Sequence, residues 1–201
     1  MKKRISVWLV LIILLVLGTG CGRAVNENEQ QQEIAGDQES ETSPDYICDM
    51  IPKLEVVLSN NNMPKQQVSA IQLVASWSAP DENGDIIGVN IDSPHPLRLS
   101  PDDLEQFTVT LNGSGDVIEL LFTNVDFPQN ISICRWYAWY ANGAQDISEY
   151  VDKGEAVAIE GNIIKLNDDG QDYIYEVVAK WEQGYCYYAF RTLSGNPVTD
   201  S

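Results

Sequence analysis

Histidine is nearly missing from this 201-residue chain, which holds only His95. A His-Glu-x-x-His zinc site needs two histidines, so that metallopeptidase chemistry is excluded. Any Ser-His-Asp or Cys-His arrangement would have to use His95, and it stands between Pro94 and Pro96 in a loop, where a packing role or a contact with a ligand suits it better than catalysis. No Ser-x-x-Lys occurs, which excludes a penicillin-binding serine module. Positive charge is also scarce: twelve Lys and Arg face thirty Asp and Glu, for a formal charge of −18. Phosphate binding needs a basic face that this composition lacks, so nucleic acid is excluded as a partner. Thirty carboxylates make some close pair inevitable, and an acid pair is therefore no sign of catalysis. The four cysteines include no Cys-x-x-Cys, and Asp81, Asn83 and Asp85 match only the start of a calcium loop, because Ile86 stands where that loop requires Gly. No cofactor and no metal is expected, and the chain is not expected to be an enzyme.

Long apolar runs are absent except at the start. Lys2, Lys3 and Arg4 precede the apolar run from Ile5 to Leu17, and small residues follow it up to Cys21. This is the layout of an export signal over residues 1–20, and the run is shorter than the roughly 20 residues that span a bilayer. The stretch Leu17-Gly18-Thr19-Gly20-Cys21 resembles the lipobox of bacterial lipoproteins, with Gly18 where that pattern more often has Leu. It implies lipid attachment at Cys21 and a place on the extracytoplasmic face of the cell membrane, held by the lipid anchor. An ordinary secretory signal with an incidental cysteine is the alternative. Residues 21–44 then carry the lipidated Cys and an acidic, Gln-rich stretch with little to bury, which predicts a disordered tether reaching on the order of 25 Å. Removal of the signal leaves nine basic against thirty acidic residues, −21, so like-charge repulsion disfavours adhesion to anionic lipid. Residues 45–201 are long enough for one domain with a sizeable core. Cys48, Cys134 and Cys186 allow at most one disulfide within the chain, and whether it forms stays open.

Within that domain the apolar spacing has a period of two. Between Leu166 and Leu193, two alternating runs flank Glu182-Gln183-Gly184, and Tyr173, Tyr175, Val177, Ala179 and Trp181 share one face of the first run. This predicts a terminal hairpin. Asp169 lies four residues before Tyr173, the spacing at which a tyrosine corner closes the turn into a late strand of an immunoglobulin-like sandwich. Further strands are expected at Lys53–Ser59, Gln67–Ser78, Ile86–Ile91, Ile131–Tyr140, Ala156–Ile159 and Asn162–Leu166, with a hairpin joining Phe107–Leu111 to Val117–Thr123. Ser100 is placed to cap a short helical turn at Pro101-Asp102-Asp103. Both faces of Ile131–Tyr140 carry aromatics; by analogy with the buried strand-C Trp of immunoglobulin domains, Trp136 is expected in the core and Trp139 nearer the surface. Helix signals are weak, so the fold class is an all-β, immunoglobulin-like antiparallel β-sandwich with few or no helices.

The series SWSAPDENGD, SPHPLRLSPDDLEQFTV, ISICRWYAWY, NIIKLNDDGQDYIYEVVAKW and YYAF, spread over roughly residues 73–193, resembles the small extracytoplasmic β-domain of clostridial-type Gram-positive bacteria. That domain occurs as free-standing lipoproteins and at the C-terminal end of membrane metallopeptidases related to beta-lactam-sensing antirepressor peptidases. The resemblance implies fold and location, and sensing by association. Two functions follow as expectations. One is a non-enzymatic module that binds or senses an envelope protein, peptide or glycan, with Trp77, His95, Trp139 and Tyr140 as candidate contacts and Tyr173, Trp136 and Asp169 as structural residues. The other is an accessory subunit that modulates a membrane peptidase or another envelope enzyme.

Overall fold

A computed structural model describes residues 49–195, apart from 61, 62, 82, 114, 142–145 and 167. Cys21, Cys48, the export signal and the acidic stretch lie outside the described residues. Among the described residues, eleven strands form two sheets: β1 (Lys53–Asn60), β2 (Met63–Ser69), β3 (Ile71–Pro80), β4 (Ile86–Ile91), β5 (Thr108–Thr110), β6 (Asp116–Thr123), β7 (Asn130–Tyr137), β8 (Glu155–Ala156), β9 (Ile163–Leu166), β10 (Tyr173–Lys180) and β11 (Gly184–Leu193). One sheet has the order β2-β1-β6-β9 and the other β4-β3-β11-β10-β7-β8, with β5 alongside β11. Among the described residues, helical structure is limited to short pieces, including α1 (Pro101–Glu105) and α2 (Ser148–Val151).

The strand order is that of an immunoglobulin-like sandwich. Strands β1, β6 and β9 take the places of strands A, B and E in one sheet, while β7, β10 and β11 take those of C, F and G in the other. The chain between β1 and β6 is an elaboration of this frame. It adds β2 outside β1, adds the β3–β4 hairpin beyond β11, and sends β5 parallel to the end of β11. β11 is thus paired along one edge by two strands in turn, Gly184–Ala189 by β3 and Arg191–Leu193 by β5.

Period-two alternation along β10 explains the core. Tyr173, Tyr175, Val177 and Ala179, with Trp181 just beyond, face the other sheet and meet Val56, Ile118, Leu120 and Ile164 in a cluster that also takes in Tyr188 and Phe190. Ile174 points the opposite way, yet it is 1% exposed. It lies in a second cluster on the outer face of the larger sheet, where Leu73, Trp136 and Ala189 are covered by Leu97, Leu99, Leu104, Ala141 and Ile147 from the connecting segments. Three buried aromatics place their polar ends on backbone carbonyls: Tyr188 donates to Pro52 O at 2.7 Å, Trp181 to Asp126 O at 2.8 Å and Trp136 to Val151 O at 3.1 Å.

Several sequence expectations change. Gln67–Ser78 is two strands broken at Ala70, whose N–H donates to Leu54 O at 2.8 Å. Phe107–Leu111 and Val117–Thr123 do not form a hairpin, because β5 joins the larger sheet and β6 the smaller; buried Asp116 holds the crossover by accepting from Asn112 N and Asn60 Nδ2, each at 2.7 Å. Alternation reports which residues are buried and is silent on which strand they pair with. The strand expected over Ile131–Tyr140 ends at Tyr137: Ala138 N–H still donates across to Asp172 O, and a 3-10 turn begins over Ala138–Ala141. Trp136 is buried, but on the outer face of its sheet and not between the sheets as the immunoglobulin analogy suggested.

At the corner before β10, the Tyr173 hydroxyl donates to the Asp169 carboxylate at 2.7 Å, whereas the tyrosine corner of immunoglobulin domains uses a backbone partner. Asp169 is exposed, so this bond is worth ~1 kcal/mol rather than the 1.5 to 3 of a buried charged one. Tyr173→Phe and Asp169→Ala should each lower unfolding free energy by about 1 kcal/mol, and the double variant by little more than either. Chemical denaturation of the three variants checks this; full additivity would mean the two side chains act separately.

Candidate functional site

The exposed aromatic surface lies where β7 gives way to the 3-10 turn. Trp139 is 55% exposed, the greatest exposure of any described aromatic. Its ring is 4.1 Å from that of Tyr140, which stacks at 4.6 Å on Tyr150 of α2, and Trp139 and Tyr150 are 6.3 Å apart. Beneath them lies Tyr137, 5.9 Å from Tyr140 and 6.2 Å from Trp139. The ring contacts continue inward, from Tyr137 to Tyr173 at 5.1 Å, on to Tyr175 at 6.3 Å and to Phe190 at 4.7 Å. A column of rings thus joins the inter-sheet core to the surface. Pairs of this kind contribute ~0.5 to 1.5 kcal/mol each beyond their buried area, which holds the outer rings in place.

Charge frames this surface. Lys153 Nζ stands 4.8 Å from the centre of the Tyr150 ring and 5.7 Å from that of Tyr140, and it also reaches Glu149 at 3.4 Å. Arg135 lies 4.0 Å over the face of Tyr173 and pairs with Glu155 at 3.1 Å. Asp146, which accepts from Ser148 N at 2.9 Å, joins Glu149, Asp152 and Glu155 as exposed carboxylates on the same segment. Gly154 lets that segment close on the sheet: a Cβ there would fall inside contact distance of Cys134 Sγ and 2.7 Å from Trp136 Cε2.

The candidate residues from the sequence divide accordingly. Trp139 and Tyr140 come together on this surface. Trp77 does not: it is 4% exposed and packs edge-on against Trp181 at 5.4 Å, so the inter-sheet core takes it out of reach of a ligand. His95 is half-buried, edge-on to Trp136 at 5.0 Å, with Nδ1 accepting the Leu97 N–H at 3.2 Å as it starts the 3-10 turn Pro96–Arg98. Asp169 and Tyr173 form the corner, and the Tyr173 ring is part of the column. Cys134 and Cys186 are free thiols on opposite faces of the larger sheet. Burial pushes the Cys186 thiol up to about 11 and raises that of Cys134 as well, with the Glu176 carboxylate adding to the rise; both stay protonated and poorly nucleophilic near neutrality. Among the described residues, no group of three His, Cys, Asp or Glu side chains is arranged to hold a metal, and Asp81 directs one carboxylate oxygen to the N–H groups of Asn83 and Asp85, as a plain turn does. Tyr137, Tyr150 and Lys153 were not singled out from sequence; the three-residue spacing of Tyr150 and Lys153 in a short helical segment is the signal that places them on one face.

Burial holds His95 below its ordinary value, and the nearby Arg98 guanidinium adds to this. The folded protein therefore binds fewer protons there than the unfolded chain, so this contribution to stability is complete above pH 6.5 and is lost as pH falls below it. Protonation also removes the acceptor that holds Leu97 N–H. Glu176, raised by burial, acts in the opposite direction, so the test is a difference between proteins. Wild type should lose stability relative to His95→Asn as pH is lowered from 7.5 toward 5.5, measured by urea denaturation; a constant difference would show that His95 is not held neutral.

No family model, curated protein or solved structure matches this chain.

Proposed function

We propose that the chain is an extracytoplasmic lipoprotein, held to the cell membrane through Cys21, whose β-sandwich is a non-enzymatic binding module. The observation that carries this reading is the Trp139-Tyr140-Tyr150 surface: a half-exposed Trp braced from below by a stacked ring column rooted in the core. A large ring left in water and held in one orientation offers contact area at little cost in side-chain entropy, which is the property of binding hot spots. The three rings stand on a 3-10 turn and a short helix and are supported by packed neighbours, which holds their geometry better than a free loop would. The acidic tether complements this role, because it raises the local concentration of the module near the envelope.

A second reading, an accessory subunit of a membrane peptidase or another envelope enzyme, draws on a different feature. Among the described residues β4 pairs only with β3, and it carries Ile86 at 72% exposure, so its outer edge offers backbone groups to an added strand.

For the first reading, isolated cell envelopes are mixed with the purified domain and sedimented. Trp139→Ala should reduce the bound fraction with an apparent loss of about 2 kcal/mol, while the fold stays cooperative and loses only about 1 kcal/mol from the missing ring contacts. In cells, labelling with a fatty acid should mark the wild-type chain and not Cys21→Ser. Equal sedimentation of wild type and Trp139→Ala sinks the binding surface, and a labelled Cys21→Ser protein sinks the anchor.

A further inference from the structure

The rings of the candidate surface already hold a cation. Lys153 Nζ lies within cation–π distance of both Tyr150 and Tyr140, at 4.8 and 5.7 Å from their centres, and its side chain is 45% exposed. The tie that keeps it there is slight, a 3.4 Å contact to Glu149, whose own side chain is 74% exposed. Beside this pair the 55% exposed Trp139 leaves the better cation-binding ring, an indole, open to solvent. The segment from Asp146 to Glu155 brings four carboxylates and one Lys, in a chain with a formal charge of −18, so the surrounding potential favours positive ligands and opposes anionic ones.

These observations, resting on the binding-module reading above, select a ligand class. The geometry points to the Trp139-Tyr140-Tyr150 surface as a site for a methylated ammonium headgroup, of the choline or trimethylalkylammonium type, which takes the place of the Lys153 ammonium. The preference for a methylated cation follows from hydration. A primary ammonium is strongly hydrated and needs acceptors in exchange for its lost water, whereas ring faces supply none. A quaternary ammonium is weakly hydrated, donates no hydrogen bond, and offers methyl groups that pack on Trp and Tyr while the charge is felt by the rings and by the surrounding carboxylates. Lys153, flexible and half in water, is displaced at little cost and swings toward Glu149. On this view Lys153 acts as a built-in competitor that keeps the rings apart from casual apolar contacts when no ligand is bound.

The test is a titration of the purified protein with choline, followed by tryptophan fluorescence and by the NMR signals of the Trp139 indole and the Lys153 side chain. The neutral isostere 3,3-dimethylbutan-1-ol and sodium chloride serve as controls. Choline is expected to give a saturable change centred on Trp139, with at least about tenfold weaker response to the neutral isostere and none to the salt beyond screening. Tyr150→Leu should lose the response, and Lys153→Met, which keeps the stem and removes the charge, should bind choline several-fold more tightly. Equal binding of the isostere would overturn the inference by showing a merely apolar surface. Weaker binding by Lys153→Met would overturn it by making Lys153 part of the site. If choline gives no saturable change while envelope sedimentation still depends on Trp139, the ammonium inference fails and the binding surface stands; if both fail, the surface itself is not a site.

Discussion

Strand β10 is hydrogen-bonded along both edges, to β7 and to β11, and over its first residues it is buried on both faces. That double burial is the constraint on which the rest depends. Tyr173, Tyr175, Val177 and Ala179 close the space between the sheets, whereas Ile174 closes the space under the elaborated connections. A sandwich whose outer sheet face is wet needs one layer of side chains; this one needs two, and the second is furnished by segments that would otherwise be loops. Leu97, Leu99 and Leu104 come from the stretch around α1, and Ala141 and Ile147 flank the approach to α2. Trp136 is where the two kinds of element lock: its ring packs under His95 and against Gly154, and its indole N–H donates to Val151 O.

The same arrangement positions the exposed rings. Because β7 ends at Tyr137, the next turn swings Trp139 and Tyr140 off the end of the sheet, and α2, fastened through Val151 to Trp136, stacks Tyr150 on Tyr140. The surface is therefore mounted on two supports with separate origins, the ring column that reaches Phe190 and the covered outer face that reaches Ile174. Arg135, placed over Tyr173 and paired with Glu155, ties the column to β8 at the sheet edge. A ligand touching Trp139 would feel a nearly rigid face, which is the condition for recognition without large ordering costs.

Much of the frame was legible from period-two spacing. The inward set on β10, the β10–β11 turn at Glu182-Gln183-Gly184 and the Ser100 capping box all follow from local chemistry, because each depends on residues a few positions apart. What local spacing does not contain is pairing. β5 and β6 look like a hairpin because Asn112-Gly113-Ser114-Gly115-Asp116 is a turn, and only the buried partners of each strand show that the turn carries the chain from one sheet to the other. Face assignment failed for the same reason. The aromatics of Ile131–Tyr140 alternate correctly, but a sheet covered on both sides gives both faces an apolar signature, so Trp136 is buried on the outer face while Ile133 takes the inner one. Trp77 and Trp139 could not be told apart as binding candidates by residue type; the first sits mid-strand opposite Gly184 and the second just past a strand end.

The claim that the larger sheet is buried on both faces is tested most directly at Ile174. Opposite Trp136 and 1% exposed, it contributes nothing to the inter-sheet core, so an immunoglobulin-like sheet with a solvated outer face would tolerate its truncation. Double burial predicts that Ile174→Ala lowers the unfolding free energy by about 2 to 5 kcal/mol in urea denaturation, with one cooperative transition. A loss below about 0.5 kcal/mol, the range of ordinary surface substitutions, would contradict it.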